Sequence, residues 1–144
     1  MAALAANRLV NIVNEHLGYV IDLPLGASET VYKGGFVSLD AGDKYGAPLA
    51  AGEIFVGLAL EKKTSVATNG TDTCKVLVGG MFQQAITSIA QADIGKTVYA
   101  SDDQTLTLTS TSNSSVGRIV NVPAAGTAIV QMKMLGETLT QTPV

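Results

Sequence analysis

Between residues 18 and 134 the chain alternates short apolar runs with glycine, proline and Asn/Asp punctuation, the pattern of strands joined by turns. Runs at 19–23, 29–33, 36–39, 54–60, 75–78, 81–86, 96–100, 105–109, 116–122 and 128–134 read as strands. The run at 105–109 alternates strictly, and the last run has two distinct faces. Leu106 and Leu108 share one face with threonines on the other, while Ala128, Val130, Met132 and Met134 oppose Gln131 and Lys133. Residues 40–46, 102–104 and 123–126 carry turn chemistry. Asn69 and Gly70 suit a tight hairpin, because both accept positive φ at low cost. Ser88 and Gln91 have the spacing of a capping box, but Asp93 and Gly95 leave room for only one turn or a 3₁₀ segment.

Residues 1–17 follow another rhythm. Leu9, Val10, Ile12, Val13 and Leu17 recur at helix-like intervals, and Gly18 could stop a helix. Asn7, Asn11 and Asn14 are mediocre helix formers. Two readings stand: a short helix capping one end of the body, or an arm reaching onto a neighbouring molecule. The polar stretch 137–144, with Pro143, reads as a flexible C-terminal tail. The expected organisation is an N-terminal arm at 1–17, a β domain at 18–136 and a tail at 137–144.

The β region repeats itself. Residues 34–39 match 95–100, each a glycine leading a short apolar strand into an Asp-containing turn. Phe55, Val56 and Gly57 match Ser115, Val116 and Gly117, and 75–78 is set beside 128–131. The first two pairs lie about 60 residues apart. Two related β units, each too small to close a core alone, would complete a barrel or sandwich together. Gly57 and Gly117 interrupt strand patterns, which usually marks a bulge or sharp bend. The expected fold is therefore all-β, a compact barrel or sandwich of two half-repeats.

Composition adds a surface argument. At 144 residues the chain suits one domain with a real core. Only 15 % of residues are charged against 47 % apolar, so part of the surface should be covered by a partner or by further copies of the chain. A net charge of −3, with no basic cluster beyond Lys62 and Lys63, argues against nucleic-acid binding. No apolar stretch approaches the roughly 20 residues of a membrane span. The start of the chain lacks a signal-peptide pattern, so Asn69 and Asn113 are read as turn residues rather than glycan acceptors.

The search for reactive groups returns little. Cys74 is the one cysteine and reads as a core residue. His16, the one histidine, cannot make the usual structural zinc site without cysteines. Asp40 with Asp43, and Asp102 with Asp103, fall where turns already explain them, without calcium-loop spacing. Lys96 and Thr97 end like a phosphate loop, but Ala90 replaces its first glycine. The expectation is no enzyme, no catalytic or metal residues and no cofactor.

The ordered set of Gly34 to Leu39, Val56 and Gly57, Gly79 and Gly80, 92–99, 115–118 and 124–130 resembles the head decoration, or cement, proteins of tailed bacteriophages. The resemblance covers roughly residues 31–134. It implies a non-enzymatic, typically homotrimeric virion protein, made in the host cytoplasm and seated outside the capsid. There it would bridge neighbouring subunits of the major capsid protein and stabilise the head. Leu9, Val10, Ile12, Val13 and Leu17 are the candidate capsid contacts. The alternative is a carbohydrate- or receptor-binding β module on a virion or cell surface, although sugar sites usually want more exposed aromatics.

Overall fold

Short runs rich in β-branched and aromatic residues bury one face best when paired edge to edge, and here they pair almost throughout. The structure, a computed structural model, describes residues 3–14 and 18–135. Within them lie β1 (Asn11–Asn14), β2 (Tyr19–Pro24), β3 (Thr30–Val31), β4 (Phe36–Leu39), β5 (Gly46–Pro48), β6 (Ile54–Ala59) and β7 (Lys63–Thr64). They continue with β8 (Thr73–Val78), β9 (Met81–Ala85), a 3₁₀ turn (Gln91–Asp93), β10 (Thr97–Ala100), β11 (Leu106–Thr107), β12 (Ser114–Ala124) and β13 (Thr127–Met132).

The first main sheet has the order β2-β8-β6-β4-β5, the second β1-β9-β13-β12-β10-β11, and β3 pairs with β7 alone. Without β1, the second order repeats the first strand for strand. The chain is an all-β sandwich of two versions of one antiparallel sheet, and the sheets do not close into a barrel.

The repeat holds at the level of register. Val37 faces Gly57 and Ser38 faces Phe55, which leaves Val56 as the extra residue of a β-bulge. Val98 faces Gly117 and Tyr99 faces Ser115, which leaves Val116 in the same role. The third sequence match is off by one. Leu58 faces Leu77 and Arg118 faces Gln131, so Leu77 corresponds to Gln131 and Cys74 to Ala128. Matching 75–78 to 128–131 by hydrophobicity set Val76 on the half-buried Ile129, whereas its partner in burial is Val130. A slip of one residue exchanges the two faces of a strand.

Burial assigns the faces. In the first sheet Val56, Ala59, Val76 and Val78 close a small core with Leu25 and Val31. Phe36, Phe55, Leu58 and Leu77, on the opposite face, enter the large core. In the second sheet it is the counterparts of the valine face, Val116, Ile119, Val130 and Met132, that enter this same large core. Unlike faces therefore meet, and the two halves stack head to tail. Phe36 bridges them, with ring centroids 6.0 Å from Phe55 and 5.7 Å from Phe82 of the second sheet. Among the described residues, the remaining face of the second sheet ends the stack. Where the first half has Phe36, Phe55, Leu58 and Leu77, it has Thr97, Ser115, Arg118 and Gln131. A terminal unit with no further neighbour needs such a polar outer face.

Several local expectations change. Residues 46–48 form β5, which turn chemistry had hidden, while β3 and β11 are shorter than the runs at 29–33 and 105–109. Asn69 and Gly70 do turn, but not as a tight hairpin. Between β6 and β8 the chain detours through β7, and Asn69 Oδ1 accepts from the Ala27 N–H at 2.7 Å. The 3₁₀ turn is capped at Ala90, whose N–H donates to Asp93 Oδ2 at 2.9 Å, rather than at Ser88.

Candidate interaction surface

The N-terminal segment is extended and docked, not helical, within residues 3–14. The Leu4 N–H donates to Asp103 Oδ1 (2.8 Å), the Lys33 N–H to Asn7 Oδ1 (2.9 Å) and the Arg8 N–H to the Lys33 carbonyl (2.9 Å). Strand β1 then adds antiparallel to β9, with Ile12 opposite Phe82. The helical alternative fails because the β9 edge offers free ladder groups, while adjacent Ile12 and Val13 prefer a pleated backbone.

Pairing splits the sequence-predicted contact set by alternation. Val10 and Ile12 turn inward against the large core. Leu9 is 95 % exposed and Val13 45 % exposed. Leu17 and His16 lie outside the described residues. Sequence spacing placed all five together, because i, i+1, i+3 and i+4 in a short run fit a helix stripe as well as two strand faces.

Arg8 anchors this segment. Its Nε donates to the Gly34 carbonyl at 2.6 Å and its guanidinium sits 5.1 Å from the Phe36 ring centroid. Burial lowers its pKa, while Asp103 and Asp102 pull the other way. Asp103 is itself buried, and that burial raises its carboxyl above the usual range against the opposing Leu4 hydrogen bond. Nothing in the sequence flagged Arg8. A lone arginine before an apolar run was the available signal.

A second bare feature lies on β2. In the second sheet its counterpart β9 is flanked by β1, but β2 ends its own sheet among the described residues. Exposed edges are normally guarded by charge or proline. Here the Asp22–Lys75 pair (3.0 Å) and Pro24 guard one end, while Tyr19 and Val20, 53 % exposed, leave the other apolar. Leu9 and Val13 on the N-terminal segment and Tyr19 and Val20 at the start of β2 are thus exposed apolar side chains.

The chemical candidates occupy structural roles. Asp40 Oδ1 accepts from the Gly42 N–H (2.8 Å), and Asp102 Oδ1 from Gln104 (2.9 Å) and Thr105 (2.8 Å). Lys96 pairs with Asp93 at 2.8 Å and Thr97 is buried in β10, so no phosphate loop forms there. Cys74 is buried, its thiol pushed up to about 11 by desolvation. Among the described residues no three His, Cys, Asp or Glu side chains gather as for a metal, and no helix is long and apolar enough to cross a membrane. No family model, curated protein or solved structure matches this chain.

Proposed function

We propose that the protein is a capsid decoration protein that binds the outside of a phage head as a trimer and stabilises it by bridging subunits. The carrying observation is the set of exposed apolar side chains Leu9, Val13, Tyr19 and Val20, on a docked N-terminal segment and on β2, a sheet edge left open among the described residues. An unpaired edge can accept main-chain bonds, and exposed apolar side chains beside it gain by burial on contact. A modest interface of this kind gains strength by repetition over a symmetric shell, where each bound subunit raises the effective concentration of the next contact. The few surface charges fit close apposition.

The test is co-sedimentation of purified protein with heads assembled without it. Saturable binding and a raised head-disruption temperature are expected. Binding to a glycan array, with no association with heads, would instead favour the carbohydrate- or receptor-binding module.

A further inference from the structure

Gly34 and Gly95 occupy equivalent places. The Gly34 N–H donates to the Ala59 carbonyl at 2.9 Å and the Gly95 N–H to Ile119 at 2.8 Å, with φ of 84° and 91°. Over Gly34 runs the N-terminal segment, so closely that a Cβ there would lie 2.8 Å from the Arg8 Cγ. Over Gly95 a Cβ would meet nothing within 4 Å. Leu60 in the first half packs against the large core beside Val10 and Ile12, whereas its counterpart Val120 is 36 % exposed. Between Val120 and the exposed Ile94 lies an open groove of about 410 Å³, lined also by Gly117, Arg118 and Gln131.

One contact of the filled groove recurs in the open one. Arg118 Nη1 donates to the Gly95 carbonyl at 3.0 Å, as Arg8 Nε does to Gly34 at 2.6 Å. Among the described residues, the second half lacks the extended backbone over the glycine and the apolar side chains above Val120. The carbonyl of Ile94 stands where that of Lys33 receives the Arg8 N–H.

We propose that this groove binds an extended segment of a partner protein, laid across Gly95 as residues 8–12 lie across Gly34. The segment is neutral or acidic, with apolar residues at alternate positions. Arg118 already fills the guanidinium position. The N-terminal segment of another copy of this chain would bring Arg8 against Arg118, so a partner without that cation fits better. The inference rests on the internal repeat and stands apart from the shell reading.

The test uses two labelled synthetic peptides spanning positions 6–14, one unaltered and one carrying Arg8→Glu, added to the full-length protein. Fluorescence anisotropy gives affinity and backbone amide NMR shifts give the site. The Arg8→Glu peptide should bind saturably, shifting Gly95 and Val120. Val120→Lys, and separately Ile94→Lys, should weaken it about tenfold by removing apolar contact, without lowering Tm. Charge-driven adsorption would instead tighten with added lysine, which would overturn the proposal. So would shifts elsewhere, no saturation at millimolar peptide, or tighter binding of the unaltered peptide, which would assign the groove to another copy of this chain.

Discussion

Replacing the bulge glycines tests the duplicated register directly. A methyl at Gly57 would lie 2.9 Å from the Leu77 carbonyl carbon and nearer still to its oxygen. At Gly117 it would lie 2.8 Å from the Gln131 carbonyl carbon, with the oxygen again nearer. Each obstacle is backbone held in a ladder, so no side-chain rotation relieves it. To reach ordinary contact the strands must part by about 1 Å, enough to carry a ladder bond beyond useful range. Losing one or two such bonds costs about 1 kcal/mol each, and a buried peptide group left unpaired adds about 1–3 kcal/mol. Gly57→Ala and Gly117→Ala should each cost about 3–5 kcal/mol. Gly126→Ala is the control, with φ 83° and no neighbour within 4 Å of an added Cβ. It should lose about 1–2 kcal/mol from left-handed strain alone. Urea unfolding followed by circular dichroism measures all three, with Tm drops of about 3 °C per kcal/mol at this size. If either bulge variant stays within about 1 kcal/mol of the parent, or matches the control, the two bulges are not equivalent.

Other consequences are open to similar measurement. Leu58→Arg places an unpaired charge in the large core and should cost about 4 kcal/mol or more, whereas the mirror change Arg118→Leu on the terminal face should stay within about 1 kcal/mol; equal losses would refute head-to-tail stacking. Cys74 should resist thiol reagents at pH 8 until the protein unfolds. Because folding raises its pKa from 9.0 to about 11, the stability it contributes is intact below pH 9 and lost as pH climbs toward 11. Cys74→Ala, which copies Ala128 of the second half, should flatten that part of the stability curve. Leu9→Asp should leave stability within about 0.5 kcal/mol, since Leu9 is 95 % exposed, yet weaken sedimentation with heads; unchanged sedimentation would remove Leu9 from the contact surface.

Strand positions, the fold class and the repeat were legible because alternation and glycine spacing are local. Residues 36–39 form β4 over the very span expected, and Gly57 and Gly117 each adjoin a bulge, as their interruption of strands suggested. Two kinds of feature escaped. The β5 strand carries no apolar alternation of its own and exists because β4 offers it an edge, with Val37 opposite Pro48. The face assignments also escaped, since a two-residue period says that two faces differ but not which one a neighbour covers. Likewise Val10 and Ile12 could be named as apolar contacts, but only the β9 edge decides that they turn inward while Leu9 and Val13 turn out.

Head-to-tail order also explains why the N-terminal segment lies where it does. A two-fold pair would bring like faces together and leave two equal outer faces, with both glycine grooves in the same surroundings. Stacking unlike faces breaks that equality. The groove beside Gly34 opens at the rim of the large core, where Leu60 would be wetted if nothing lay over it. The groove beside Gly95 opens on the polar terminal face, where Arg118 takes the place of Leu58. The same backbone feature is therefore sealed by the chain's own residues in one half and, among the described residues, left uncovered in the other. Val10 and Ile12 supply that cover, and Arg8 ties it down despite its desolvation, which the Gly34 carbonyl, the Phe36 ring and the buried Asp103 carboxyl offset only in part. Apolar residues left over from that cover, Leu9 and Val13, face outward by the pleat alone, so one side of this short segment seals the core while the other stays exposed.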